Sequence, residues 1–204
     1  MKQVLAAYER LGKKYLDYRQ ALKSDTYVKM FLRQLGKNSS VLDVGCGAGS
    51  PVDDILTKAG HQVVGIDLSP SLIKVARKLV PAASYQVFDM RNLSPSEYEV
   101  DGLVCLYAIF HIPRSDHKKM IETFASFLPV GGWMLISMGD RAYEGEHEMY
   151  GVASYSSQWG SVENRRIVES AGFRIQHEEF ATSNGERHQM LLAQKLNPKP
   201  RLTI

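Results

Sequence analysis

Three short stretches of this chain hold residues whose types and spacing could do chemistry. In VLDVGCGAGS, residues 41–50, an apolar run carrying Asp43 leads directly into Gly45, Gly47 and Gly49. A glycine-rich turn after a strand lets backbone approach a ligand closely. Asp67 follows 24 positions after Asp43 in GIDLS, and Asp89 follows in FDM. A carboxylate at a strand end can accept both hydroxyls of a ribose, and an acidic row suits a ligand that also carries an ammonium group. His111, in LYAIFHIPRSDH, titrates near neutrality and is the candidate general base for an acceptor that must lose a proton. Its other reading is a histidine that pins a loop or packs beside the ligand.

The glycine spacing weighs against two nucleotide sites. A dinucleotide fingerprint requires G-x-G-x-x-G, whereas this loop runs G-x-G-x-G with Ser50 in the sixth place. Pro51, read as the first helical residue, would remove one of the free N–H groups that hold a phosphate. A Gly-Lys-Ser/Thr phosphate loop is absent from the sequence. Glu144, Glu146, His147 and Glu148 invite a metal reading, but side chains adjacent in sequence converge on one ion only if the chain turns sharply. No metal site is expected.

These residues need a scaffold that brings strand ends to one edge. Residues 1–37 read as two amphipathic helices, the first marked by Val4, Tyr8, Leu11, Tyr15, Tyr18 and Leu22 and ending near Ser24. The second is capped by Asp25 and closed by Gly36. From residue 40, short apolar runs alternate with helical patterns, as in βαβ units around a parallel sheet. Strands are predicted at 41–44, 61–66, 84–88, 102–107 and 133–137. Residues 139–160 are polar and aromatic without periodicity, long for a connection, and form a candidate substrate loop or lid. A helix from Ser161 precedes two strands, 173–180 and 188–196, joined through the turn pair Asn184-Gly185 and expected at the sheet edge. The division is one domain: a helical cap (1–37), a cofactor-binding core (38–138), the lid (139–160), a C-terminal helix and hairpin (161–196) and a tail (197–204).

Composition bounds the classes. With 204 residues, 44% hydrophobic and 23% charged, the chain can bury one substantial core. No stretch approaches a membrane span, and charges interrupt the N-terminus where a signal peptide would be apolar. Cys46 and Cys105 lack metal-ligand spacing, which fits a reducing cytoplasm. Residues 1–37 hold nine Lys/Arg against three acids, a local excess of six positive charges in a chain of net +3. The solvated face of amphipathic helices accounts for that excess better than a nucleic-acid partner does.

VLDVGCGAGS, GIDLS, FDM and LPVGGWMLIS, in this order, resemble the motifs of the class I S-adenosylmethionine-dependent methyltransferases of small-molecule type. The resemblance covers about residues 8–196. It implies a Rossmann-like α/β fold with a seven-stranded, mostly parallel sheet, an antiparallel last strand and helices on both faces. It implies S-adenosylmethionine as cofactor, with Asp43, Gly45, Gly47 and Gly49 of the glycine loop, which also contains Cys46, against its methionine part. It further implies Asp67, followed by Leu68, on the ribose, Asp89 and Met90 beside the adenine, and Leu106 near the methionine moiety. YERLGKKY, residues 8–15, is similar to the small-molecule branch's opening, which places Tyr15 over the cofactor. Tyr15 belongs equally to the helix stripe.

Several acceptors are argued against. The strand-four site reads Tyr107-Ala108-Ile109-Phe110 in place of the D/N/S-P-P-Y/F of DNA and glutamine amino-methyltransferases. Neither cysteine stands where cytosine-5 RNA enzymes place one, and no paired-glutamate hairpin of the protein-arginine type occurs. A small-molecule acceptor remains, with Tyr143, Tyr150, Tyr155 and Trp159 of the lid as candidate pocket walls. The rival functions are a module that binds the cofactor without turnover and a nicotinamide-dependent oxidoreductase.

Overall fold

The computed structural model describes residues 5–6, 24–149, 152–183 and 186–196. Tyr15, Tyr150, the Asn184-Gly185 turn and the 197–204 tail lie outside the described residues, as does most of the first expected helix.

Val41, Leu42 and Val44 are buried on both faces of β1 (Ser40–Val44), as a central parallel strand requires. The chain continues through α2 (Val52–Lys58), β2 (Gln62–Asp67), α3 (Pro70–Leu79), β3 (Ser84–Val87), β4 (Gly102–Cys105), α4 (Arg114–Phe127) and β5 (Trp133–Gly139). An earlier helix, α1 (Asp25–Leu32), precedes β1. After β5 come β6 (Tyr143–Met149), β7 (Val152–Gln158), α5 (Ser161–Ser170), β8 (Phe173–Ser183) and β9 (Glu186–Lys195). The main sheet has seven strands in the order β3-β2-β1-β4-β5-β9-β8. Strands β1 to β5 pair in parallel, and β9 runs antiparallel to both β5 and β8. This is the expected α/β architecture, with its antiparallel last strand.

Two apolar layers hold the helices to the sheet. Tyr27, Val28 and Phe31 of α1 pack with Val52 and Leu56 of α2 over Val41, Val104 and Leu135. On the other face, Met120, Ile121 and Phe124 of α4 and Ile167 and Val168 of α5 cover Leu42, Leu103, Met134 and Leu191. Phe31 and Phe124 are fully buried, and truncating either to alanine would remove contacts worth about 3–5 kcal/mol. Lys195, at the end of β9, donates to the Ala125 and Leu128 carbonyls and so caps the C-terminus of α4.

The structure departs from the sequence expectations where the site is built. Strands three and four stop at Val87 and Cys105, which leaves Leu106 and Tyr107 outside the ladder, while the Phe88 N–H still donates to the Asp67 carbonyl at 2.8 Å. Ser24 and Pro51 are the N-caps of α1 and α2, so Asp25 and Val52 are the first helical residues. The closing hairpin is not wholly at the edge: β9 is inserted between β5 and β8, and only β8 is terminal. The expected irregular lid contains a regular two-stranded hairpin, β6–β7. Finally, α1 is a layer helix whose Phe31 sits over Gly102 at the start of β4, the end of the sheet remote from the glycine loop.

No helix among the described residues is long and apolar enough to cross a membrane.

Candidate active site

At the carboxyl ends of the parallel strands the chain leaves the sheet at successive turns, and a cavity of about 610 Å³ opens there. Open α/β sheets bind ligands at this edge. The loop after β1 takes a left-handed path at each of its glycines, with φ of +77° at Gly45, +57° at Gly47 and +75° at Gly49. At two of them a side chain has no room: a Cβ on Gly45 would strike Ala108, and one on Gly49 would strike the Tyr85 hydroxyl. These glycines therefore bring the loop against the turn after β4 and against β3.

Asp67 secures that loop from the end of β2. Its Oδ2 accepts the Gly47 N–H at 2.8 Å and its Oδ1 accepts the Ser69 N–H at 2.8 Å. Each carboxylate oxygen can accept more than one hydrogen bond, so anchoring the loop is compatible with taking a ligand hydroxyl. Ser69 also caps α3 through Leu72 N–H. Asp89 caps the short 3₁₀ turn Met90–Asn92 and holds Arg91 through both carboxylate oxygens. Burial opposes ionisation of Asp89, but the hydrogen bonds and charge of Arg91 outweigh it and hold the carboxyl below its usual range. Gly45, Asp67, Leu68, Asp89, Met90 and Leu106 all line the cavity. Asp43 and Cys46 are buried beneath it.

The first turn of α2 carries Asp53 and Asp54. Two carboxylates at a helix N-terminus oppose a phosphate there, which weighs against the dinucleotide reading on grounds independent of glycine spacing.

A family model for a methyltransferase domain matches residues 41–132, the segment that builds the glycine loop and both aspartate turns. Over these residues the chain is similar to a methyltransferase domain. Outside that segment the likeness extends through relatives. A ubiquinone biosynthesis O-methyltransferase of Coxiella burnetii is 32% identical over 122 residues, 58% of this chain and 50% of that protein. The chain spans about half the length of the curated relatives it matches. Magnesium protoporphyrin IX methyltransferase from Synechocystis, solved with bound SAH, superposes with a TM-score of 0.72 at 17% identity, covering 93% of this chain and 98% of that one. A Burkholderia thailandensis 1,6-didemethyltoxoflavin-N1-methyltransferase, solved with its acceptor and S-adenosylhomocysteine, superposes with a TM-score of 0.74 at 16% identity, covering 94% and 85%. At these identities the two structures share the fold.

Beyond the main sheet, the β6–β7 hairpin walls the cavity, and strand alternation decides which of its residues do so. Tyr143 pairs with Gln158, and Gly145 with Ser156. Tyr143, His147, Ser156 and Gln158 lie on that face and line the cavity. Glu144, Tyr155 and Ser157 fall on the opposite face. There Tyr155 donates its hydroxyl to Glu144 at 2.7 Å and Glu144 pairs with Arg114 at 2.9 Å. Tyr155 and Trp159, expected as pocket walls, are thus hairpin anchors. The Trp159 indole N–H donates to the Arg114 carbonyl at 2.9 Å, and the Arg114 guanidinium lies 4.6 Å over its ring.

His111 lines the cavity from the 3₁₀ turn Ile109–His111, with Nδ1 3.4 Å from the Tyr155 carbonyl. Burial pushes its pKa down to about 4; the Tyr155 carbonyl opposes this fall and nearby His147 adds to it. A neutral imidazole tied to the hairpin fits the pinning role better than that of a general base. The folded state then resists protonation that the unfolded chain accepts near pH 6.5, so His111 lowers stability as pH falls from about 6.5 to about 4. The full loss is about 3 kcal/mol. Buried His117, also shifted down, acts in the same direction. Urea unfolding from pH 7.5 to 4 should show the decline, with a shallower slope in His111→Gln; an equal slope in both would contradict this burial.

Sequence reading missed the contribution of β9. Glu186, Arg187 and His188 line the cavity only because β9 is inserted beside β5, opposite Gly139. No motif marks them. The one available signal was a histidine directly after two charged residues in a run otherwise turning apolar, ERHQMLLA.

Proposed function

We propose that this protein transfers the methyl group of S-adenosylmethionine to a small-molecule acceptor. What supports this most is that two carboxylates, Asp67 and Asp89, line one cavity together with Gly45 of the glycine loop and apolar Met90 and Leu106. The donor set matches the cofactor: Asp67 would hold the ribose, and Asp89 and Met90 would flank the adenine. The loop from Asp43 through Gly45, Cys46, Gly47 and Gly49, together with Leu106, would face the methionine part, with Leu68 lining the pocket beside Asp67. Tyr15 is the proposed cover over the cofactor. S-adenosylmethionine supplies an electrophilic methyl group on a sulfonium, whose transfer needs alignment with a nucleophile in a site shielded from water. The protein's part is that alignment and shielding, done by the sheet edge on one side and the 139–160 hairpin on the other. Tyr143 is retained as a proposed acceptor contact, and Tyr150 with it. The ubiquinone-type and toxoflavin-type relatives are named for oxygen and nitrogen acceptors respectively, and both support a small molecule. Buried, reduced Cys46 and Cys105 suit a cytoplasmic setting.

The test is ligand-dependent melting with S-adenosylmethionine, S-adenosylhomocysteine, NAD and NADP. At 100 times Kd a ligand binding only the folded state stabilises it by about 2.7 kcal/mol, raising the Tm of a domain this size by about 5–10 °C. A shift with the first two alone is expected. A shift with a nicotinamide cofactor alone would overturn the reading.

A further inference from the structure

We propose, building on the methyl-transfer reading, that Arg91 is a positioning residue that makes this cavity select a 6-amino purine over a 6-oxo purine, by fixing the plane of the Asp89 carboxylate. Arg91 alone takes most of what that carboxylate can accept. Its guanidinium meets Asp89 side-on, with Nε 3.1 Å from both oxygens and Nη2 2.5 Å from Oδ2. Its backbone N–H donates to Oδ1 at 3.0 Å. An ionised carboxylate has about four acceptor positions, two on each oxygen, so among the described residues one position on Oδ2 is left for a ligand. That position pairs with the N–H of a 6-amino group and opposes the carbonyl of a 6-oxo group.

The backbone holds Asp89 in place but leaves its plane to Arg91. The Phe88 N–H donates to the Asp67 carbonyl at 2.8 Å, the Asn92 N–H to the Asp89 carbonyl at 2.9 Å and the Leu93 N–H to the Met90 carbonyl at 3.0 Å. These bonds form whatever side chain stands at position 91. Rotation of a carboxylate about its last bond has only a broad preference of its own, and a planar two-pronged partner restricts it. A point charge does not, which separates arginine from lysine here.

Surface ion pairs commonly contribute little, but this one is bidentate and its Asp89 side chain is only 14% exposed. Arg91 reaches it from outside the site: Asp89 and Met90 line the cavity, whereas Arg91 is absent from the lining and its side chain is 43% exposed. Burial opposes ionisation of Asp89, and Arg91 outweighs it. A protonated Asp89 would carry an O–H that donates to a 6-oxo group, so keeping the carboxylate ionised and keeping it oriented act in the same direction.

The probes are S-adenosylhomocysteine and S-inosylhomocysteine, its deaminated analogue, titrated calorimetrically into the wild-type protein, Arg91→Ala and Arg91→Lys, with urea unfolding of each variant to confirm that it is folded. The wild type is expected to bind the adenosyl compound at least about 30-fold more tightly. Arg91→Ala should lower that ratio about tenfold, chiefly through weaker binding of the adenosyl compound. Arg91→Lys restores the charge without the fork and should stay within about threefold of Arg91→Ala. An undiminished ratio in Arg91→Ala, a wild-type ratio in Arg91→Lys, or an equal loss of affinity for both ligands would overturn the proposal, the last by showing a merely structural role. Equal affinity of the wild type for both ligands would overturn it too, because Asp89 would not then read the base. Failure of S-adenosylhomocysteine to bind the wild type would instead overturn the underlying methyl-transfer reading, and this inference with it.

Discussion

Asp67→Ala is expected to weaken binding of S-adenosylmethionine by one to two orders of magnitude. The proposed ribose contacts are hydrogen bonds to a charged acceptor, worth about 1.5–3 kcal/mol, or roughly a 10- to 100-fold change in Kd. The same carboxylate accepts the Gly47 and Ser69 N–H groups, so the variant should also lose stability, by about 1–3 kcal/mol. Asp67→Asn separates the two effects. Its amide oxygen still accepts from one backbone N–H, while the charge that favours the diol is gone. Calorimetric affinity and urea unfolding, measured on both variants, distinguish ligand contact from loop anchoring. Affinity that stays at the wild-type value in Asp67→Ala would remove Asp67 from the ribose.

The second large effect is expected at Gly45. Gly45→Val should destabilise the fold by about 3–5 kcal/mol, summing a β-branched residue at positive φ with overpacking against a buried neighbour. The neighbour is Ala108, whose Cβ occupies the space a Gly45 side chain would need. Ala108 precedes the turn that carries Phe110 and His111, so whatever relaxation accommodates the valine must move a cavity wall. Loss of cofactor binding should therefore exceed what the fall in stability alone produces at a temperature where the variant is still folded. Unfolding free energy within about 1 kcal/mol of wild type would contradict the loop path.

Both residues were identified from sequence, and for the same reason. The requirements placed on Gly45 and Asp67 are local: a left-handed turn after an apolar strand admits glycine, and a carboxylate at the next strand end lies within reach of that turn. The alternation of apolar runs with helical periodicity likewise prescribes a parallel sheet, since each run must be covered on both faces. The four parallel pairings around β1 and the site at the strands' carboxyl edge follow from those rules with little help from distant contacts.

The acceptor side was not legible in this way. Within 139–160 the sequence shows no hydrophobic alternation, because one hairpin face turns His147, Ser156 and Gln158 to the cavity and the other meets Arg114 and the start of α4. Polar residues therefore occupy both faces, and the period-two signal that distinguishes strand from loop vanishes. Whether Tyr155 or Ser156 faces the cavity is then a matter of register, set by pairing with β6. His111 was placed on the correct edge by sequence, but its chemistry depends on burial and on the Tyr155 carbonyl, 44 residues away, which no local pattern encodes.

The sequence by itself determined the class of fold, the glycine loop and the aspartate turns, because each depends on backbone conformation and on neighbours a few residues distant. The tertiary structure alone decided that β9 enters between β5 and β8 and carries Glu186 and His188 to the cavity, that the hairpin closes over it, and that His111 is held neutral. These outcomes depend on strand pairing and desolvation between segments far apart in the chain, where the energy lies in the assembled surroundings and not in the residues' own propensities.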